Sequence, residues 1–290
     1  MSELSYAPET RLVAFIDILG FKDQTKRCLD DPELLKALDR GLASTDMLSE
    51  PYQGYTTSVR MFSDCICVSS PFEPNNVFKF IYTIEAVQMN LACAGVFMRG
   101  GIAIGRHFES PRMILSEGLI EAYQLESTQA KFPRILLSEA TAAQIVEAAG
   151  QATESDSWDG GPSSFGVDPD AHLRRDQDGF RFISYLMSLR RIDRSAMVDM
   201  YITSHHEAVR DWVKEGRERK LPESIRAKHE WARKYHNAII RELFPLGSCE
   251  DDIPECVVAG QSLDPNARSS SLRACTPFGT PSPSEFNAAR

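Results

Sequence analysis

Two aspartates carry the chemistry this sequence can offer. Asp17 closes a short apolar run, Leu12 to Ile16, within "RLVAFIDILGFK". A run of that kind reads as a buried strand, and a carboxylate at its end is expensive to bury unless it is paired or holds a cation. Asp64 lies in "MFSDCICVSS", where "TTSVRMF" and "CICVSS" read as two strands around a tight turn at Ser63–Asp64. Brought to one point, the two carboxylates repel unless a cation lies between them. Oxygen donors suit Mg²⁺ or Mn²⁺, and two such ions can clamp a polyphosphate and an attacking hydroxyl. The "ILGF" turn after Asp17 leads into a helix and offers backbone N–H groups to phosphate. Singly, each aspartate has a plainer reading: Asp17 caps the turn that follows it, and Asp64 is a hairpin-turn residue.

The elements that must position these groups follow from periodicity. After the first strand, "DDPELLKALDRGLASTDML" has helical spacing with a start at Asp31 or Pro32. The hairpin comes next. Then "NNVFKFIYTIEAVQMNLACAG" reads as a helix capped by Asn75 or Asn76 and ended near Gly95. "VFMRGGIAIG" is a strand whose glycines imply a bulge or a close neighbour. The order β-α-β-β-α-β is the ferredoxin-like arrangement, an α+β sandwich, and it sets the end of the first strand beside the hairpin tip. Further on come a loop "RHFESPRM", a helix "EGLIEAYQLEST", a strand "RILLS", a helix "EATAAQIVEAA" and a late strand "FRFISYLMS". Residues 151–179 read as a long loop or insertion. Two long helices, broken at Leu221–Pro222, form a C-terminal hairpin over 191–246. The Ser-, Pro- and Gly-rich stretch 247–290 reads as a disordered tail.

Composition narrows the function classes. The net charge of −9 over 290 residues argues against a general nucleic-acid surface. It leaves room for a nucleotide held through metal ions, which bring their own positive charge. Seven cysteines, an odd and scattered set, suit a reducing compartment. Cys65 and Cys67 have no matching Cys/His pair at zinc spacing and read as buried thiols. No leader segment and no membrane-length apolar run is evident, so a soluble cytoplasmic protein is expected. His205 and His206, beside Glu207, read as solvated or packed histidines. Trp212 and Trp231 read as helix-packing anchors, and "KEGRERK" reads as a solvated helix end.

Four segments together resemble the class III nucleotidyl cyclases over residues 10 to 190. "FIDILGF" and "FSDCICVSS" resemble the two metal motifs, "RGGIAIG" the following R-x-G-I-x-x-G strand, and "EGLIEAYQLES" the dimer-interface helix, which ends in a leucine and an acidic residue. The resemblance implies that Asp17 and Asp64 hold two Mn²⁺ or Mg²⁺ ions with help from the Ile18 carbonyl. It also implies that the Gly20–Phe21 turn holds phosphate and that sites form between the subunits of a homodimer. The acidic turn of diguanylate cyclases and polymerase palms, G-G-D/E-E-F, is absent.

The purine codes of that family are missing. The base-reading position, four before the second metal aspartate, is Arg60, where lysine serves adenine and glutamate guanine. The acid expected three before Gly118 is Leu115. The Asn and Arg that steady the transition state have no match, and Glu121 and Gln124 stand nearby instead. The late-strand lysine is also missing, with Arg174, Arg175 or Arg181 as replacements. In these departures, the compact start and the helical hairpin, the chain is similar to the pyrimidine cyclases of bacterial Pycsar anti-phage systems. That similarity implies conversion of UTP to cyclic UMP and pyrophosphate by a catalytic domain over 1–190, with the product acting on a separate effector protein. No nucleic-acid or membrane partner is expected. CTP conversion to cyclic CMP is the alternative, and an inactive nucleotide-binding or interaction module is another. The donor-only guanidinium of Arg60 matches the two carbonyls of uracil better than the amino group of cytosine.

Overall fold

A computed structural model describes residues 7–43, 57–152, 169–192, 196–244 and Ile253. The strand β1 (Glu9–Ile18) is central, antiparallel both to β3 (Cys65–Pro71) and to β4 (Met98–Ser110). Outside β3 lies β2 (Ser58–Phe62). Outside β4 come, in order, β6 (Ile135–Leu137), β8 (Arg181–Ile183) and β7 (Leu173–Arg175). The four strands at one end therefore run β2-β3-β1-β4, all antiparallel, which is the ferredoxin-like order. The fold is α+β.

The alternation of β1 decides what each face does. Leu12, Ala14, Ile16 and Ile18 point into a core with α3 (Pro74–Cys93). Val13, Phe15 and Asp17 point the other way, under α4 (Glu117–Gln129), whose Tyr123 ring meets Phe15 edge-on at 5.3 Å. The helix α3 is apolar nearly all round because it is covered twice. Phe80, Ile81 and Ile84 face the sheet, and Met89 and Ala92 join a second core. That core is built by α7 (Ala196–Glu218), α8 (Glu223–Leu243) and a 3₁₀ segment, Tyr185–Arg191.

Several expectations are corrected here. The helix expected to start at Asp31 or Pro32 does so as α2 (Pro32–Ala43), capped by the Asp31 carboxylate through the N–H groups of Glu33 and Leu34, but a separate helix, α1 (Phe21–Asp30), precedes it directly, and Asp31 turns extended between the two. No asparagine side chain caps α3; Pro74 stands at its first position instead. "RHFESPRM" is no loop: β4 runs through it and turns back as β5 (Met113–Ser116), bonded to β4 from His107 to Ser110. The late strand is only three residues long, because the chain coils into the 3₁₀ segment at Tyr185. Within 151–179 the short helix α6 (Pro169–His172) and β7 are ordered elements, following α5 (Glu139–Gly150); residues 153–168 lie outside the described residues.

The hairpin α7–α8 forms as expected, with its turn at Lys220 (φ 50°) just before Leu221–Pro222. Trp212 stacks on Phe97 at 4.1 Å, and Trp231 stacks on Tyr235 and Phe132. His205 is fully buried, bonded to the Tyr185 hydroxyl and to His236 at 2.8 Å each. Of the stretch from residue 247 on, only Ile253 is described. It is buried on α8, where its carbonyl accepts from Arg233 and Asn237 and its N–H donates to Asn237. No helix among the described residues is long and apolar enough to cross a membrane.

Candidate functional site

Strand register brings the distant residues together. Phe62, Cys65, Asp17 and Arg99 form one row across β2, β3, β1 and β4, so their side chains leave the same face of the sheet. The next same-face row is Arg60, Cys67, Phe15 and Gly101. Asp64 occupies the two-residue turn beyond the first row. Ser63 adopts a left-handed conformation there (φ 56°), and the Asp64 carbonyl accepts the Ile18 N–H at 2.9 Å. The hairpin tip is thus tied to the end of β1. One ligand atom from each of Asp17, Asp64 and Cys65 lies within 4.8 Å of the others, and all three residues are half-buried.

The donor set fits a hard divalent cation. Two carboxylates supply oxygens. The Cys65 thiol is pushed up to about 11 by burial and then by the carboxylates of Asp64 and Asp17, so it keeps its proton and stands beside the oxygens as a weak donor to Asp64. Arg99 spans the site. Its Nε donates to Asp17 Oδ2 at 2.9 Å, Nη2 lies 2.8 Å from Glu126 Oε1, and Nη1 donates to the Ala130 carbonyl at 3.2 Å. Burial pushes the Glu126 carboxyl up and Asp17 adds to that, while Arg99 opposes both.

Immediately after β1, Gly20 turns left-handed (φ 71°) to start α1, and no side chain caps that helix. The Gly20 carbonyl takes the N–H groups of Asp23 and Gln24, while Phe21 packs against the core below the sheet. Gly101 and Gly105 answer the glycine question raised by the β4 sequence. A Cβ on Gly101 would stand 2.3 Å from the Ala122 carbonyl, and one on Gly105 would stand 2.5 Å from the Gly118 nitrogen. The sheet therefore accepts α4 at backbone contact.

No protein-family model matches the chain, and no curated protein matches it. Solved structures that it is similar to include a crystal structure of a guanylyl cyclase, at 16% identity and a TM-score of 0.33, over 50% of this chain and 80% of that one. Two others are structures of a bacterial light-regulated adenylyl cyclase. One has 18% identity and a TM-score of 0.34, over 51% of this chain and 48% of that one. The other has 13% identity and a TM-score of 0.35, over 71% and 59%. The chain spans about half to three fifths of the light-regulated proteins it matches.

Among the residues singled out from sequence, Asp17, Ile18, Asp64 and the Gly20–Phe21 turn converge. Arg60 lies on the same face but one row away, with its Nε on Glu109 Oε1 at 2.6 Å. Glu109 also takes the Ser58 hydroxyl, and His107, Ser58 and Arg60 together hold it down at about 2. Ser58, Arg60 and Glu109 line an open pocket of about 290 Å³ with Arg11 and Ser110. A larger cavity of about 370 Å³ sits between α5 and the β7–β8 end of the sheet, away from the aspartates. Arg174, Arg175 and Arg181 are all at that end, paired with Glu242, Glu139 and Asp170 respectively. Glu121 and Gln124 are exposed on α4.

Sequence reading missed Arg99 and Glu126 as site residues. The signal for Arg99 was its place in register opposite Asp17, which appears only once β1 and β4 are paired. Glu126 comes from the end of the helix that Gly101 lets down onto the sheet.

Proposed function

We propose that this chain is a nucleotidyl cyclase acting on a pyrimidine nucleoside triphosphate, with UTP preferred over CTP. The observation that carries the reading is the meeting of Asp17 and Asp64, 47 positions apart in sequence, at ligand distance beside the uncapped N-terminus of α1. Asp17 and Asp64 would hold Mn²⁺ or Mg²⁺, two ions per site, and the ions would lower the cost of ionising the ribose 3′-hydroxyl and screen the triphosphate. In the reaction the 3′ oxygen bonds to the α-phosphorus, the bond from that phosphorus to the bridging oxygen breaks, pyrophosphate leaves with the electron pair, and the hydroxyl proton passes to solvent water. The chain's own contribution is placement. The Gly20–Phe21 turn offers N–H groups to phosphate. Arg99 holds the Asp17 carboxylate on its β4 side. Arg60, anchored through Nε, keeps terminal N–H donors for the uracil carbonyls.

Apolar side chains exposed around this face support assembly with a second copy: Phe62 (83% exposed), Leu115, Ile120 and Tyr123. In this reading the site is completed across the dimer, and the cyclic nucleotide signals to a separate effector in anti-phage defence, as the Pycsar resemblance implies.

The test is to incubate the purified chain with Mn²⁺ and each of the four nucleoside triphosphates and identify products by mass. Cyclic UMP with pyrophosphate is expected to dominate, with cyclic CMP next. A preference for ATP would overturn the pyrimidine reading. Metal-dependent nucleotide binding without turnover would identify an inactive binding module instead. Asp17→Asn and Asp64→Asn are each expected to abolish turnover with melting unchanged, and near-normal activity in either would sink the two-metal reading.

A further inference from the structure

One carboxylate of β4 reaches a strand that is not its neighbour. β4 pairs with β1 only as far as His107, which faces Glu9; beyond it, residues 108–110 pair with β5 alone. Glu109 lies in that stretch, and its carboxylate meets the edge strand β2, although β3 and β1 stand between the two in the sheet. Its Oε1 accepts from the Ser58 hydroxyl and from Arg60 Nε, both at 2.6 Å, and its Oε2 lies 3.4 Å from Nε2 of the buried His107. The Glu109 side chain is 13% exposed, against 51% for Arg60. His107, Ser58 and Arg60 hold its carboxyl down to about 2 against the effect of burial, so its charge is present at neutral pH.

An arginine half in solvent samples many rotamers. A guanidinium free to swing reaches the O2 carbonyl that uracil and cytosine share, and so tells the two apart poorly. Discrimination comes from position 4, where uracil presents a carbonyl and cytosine an amino group, and it requires donors that cannot turn away. Glu109 supplies that restraint. Its bond to Nε limits how the guanidinium can turn and leaves the terminal nitrogens as donors for a base, beside the pocket that both residues line. The carboxylate itself is occupied. Oε1 takes two donors and Oε2 faces His107, which leaves little for a cytosine amino group.

We propose that Glu109 is a positioning residue for base selection: by holding Arg60 through Nε it makes the site prefer uracil over cytosine. This rests on reading the chain as a pyrimidine cyclase in which Arg60 meets the base. Ser58 and His107 act one step further back, by holding the carboxylate. The metal site is separate, since among the described residues no hydrogen bond or ion pair joins Glu109 to Asp17 or Asp64.

The test is the ratio of kcat/KM for UTP to that for CTP, measured on the purified full chain with Mn²⁺. Glu109→Gln keeps the size of the side chain and removes its charge. It is expected to lower the ratio at least about fivefold, the scale of a charge-assisted hydrogen bond made neutral. The loss should fall on UTP and mostly in KM, with Mn²⁺ affinity by calorimetry unchanged. In an Arg60→Ala background the same change should leave the ratio where Arg60→Ala put it, because no guanidinium remains to be positioned. Arg60→Lys should also lower the ratio, since one ammonium cannot hold Glu109 and present a fixed fork; it decides the matter if Glu109→Gln does not fold. An unchanged ratio in Glu109→Gln or in Arg60→Lys overturns the proposal. So does a loss that falls on CTP, which would make Glu109 an acceptor for the cytosine amino group, or an equal effect with and without Arg60. If the unaltered chain makes cyclic nucleotides without preferring UTP to CTP, base reading by Arg60 fails and the proposal with it, while the cyclase reading stands. If it makes none, the cyclase reading itself fails and takes the proposal with it.

Discussion

At the scale of single residues, the site depends on one absent side chain. Gly101 stands in the row beside Asp17's, and its missing Cβ lets the Ala122 carbonyl of α4 approach the strand. Gly101→Ala would set a methyl 2.3 Å from that carbonyl and 3.0 Å from Leu125 Cβ, so α4 must lift or β4 must bend. Overpacking of this kind costs about 1–3 kcal/mol. The expected outcome is a lower melting temperature together with a loss of activity larger than that cost alone explains, because Glu126 rides on α4 and would draw away from Arg99. A variant that melts and turns over like the parent would mean the α4 contact is not needed. Asp17 and Asp64 were legible in the sequence because a carboxylate at the end of an apolar strand has few affordable explanations. Arg99 was in plain view within "RGGIAIG", but an arginine beside two glycines acquires meaning only from what its strand neighbour is.

At the scale of elements, β1, the β2–β3 hairpin, α3 and the hairpin α7–α8 were all readable, because each has strong periodicity or a clear turn signal. The arm formed by β4 and β5 was not. "RHFESPRM" carries charges and a proline that read as loop, yet main-chain pairing from His107 to Ser110 overrides that local preference. Sequence composition likewise set an element boundary at residue 247, but the buried Ile253 binds α8 beyond it. A chain ending at residue 246 would take the Ile253 backbone from both ends of the Asn237 amide, while Arg233 keeps its pair with Glu230, and a buried polar group stripped of its partners costs about 1–3 kcal/mol. It would also lose the burial of an isoleucine, worth about 1.5–3 kcal/mol. Melting of chains ending at 246 and at 254 should therefore differ by several degrees, with the shorter one lower. Equal melting would mean Ile253 adds nothing to the hairpin.

At the scale of the whole molecule, the sheet and the helical hairpin are joined by buried imidazoles, and this gives stability a definite dependence on pH. His205 lies between the 3₁₀ segment and α8, bonded to Tyr185 and His236. Burial, then His236 and His206, hold its pKa well below the ordinary histidine value. His229, packed on Trp212, is lowered to about 4, mainly by burial. The unfolded chain takes up these protons near the ordinary histidine value of about 6.5, and the folded chain refuses them until the pH is much lower. Between those limits the unfolded state binds more protons, so stability falls as pH falls, by up to about 1.4 kcal/mol per pH unit for His205. The loss should begin below about pH 6.5 and continue toward pH 4, with His229 adding to it. Below about pH 4.5 the depressed carboxylates Glu109 and Glu230 join in the same direction, because they too are protonated more readily in the unfolded chain. In the window from pH 6.5 to 4.5 the histidines therefore carry the loss, opposed by Glu126, whose raised carboxyl takes up its proton first in the folded chain. Thermal melts across it should show a steady decline for the parent chain and a shallower one for His205→Gln, which keeps a hydrogen-bonding side chain but cannot take up a proton. The variant is expected to be less stable at pH 7.5, where the Tyr185–His205–His236 contacts are intact, and to lose less on acidification. Parallel declines in the two chains would show that His205 does not carry the pH dependence.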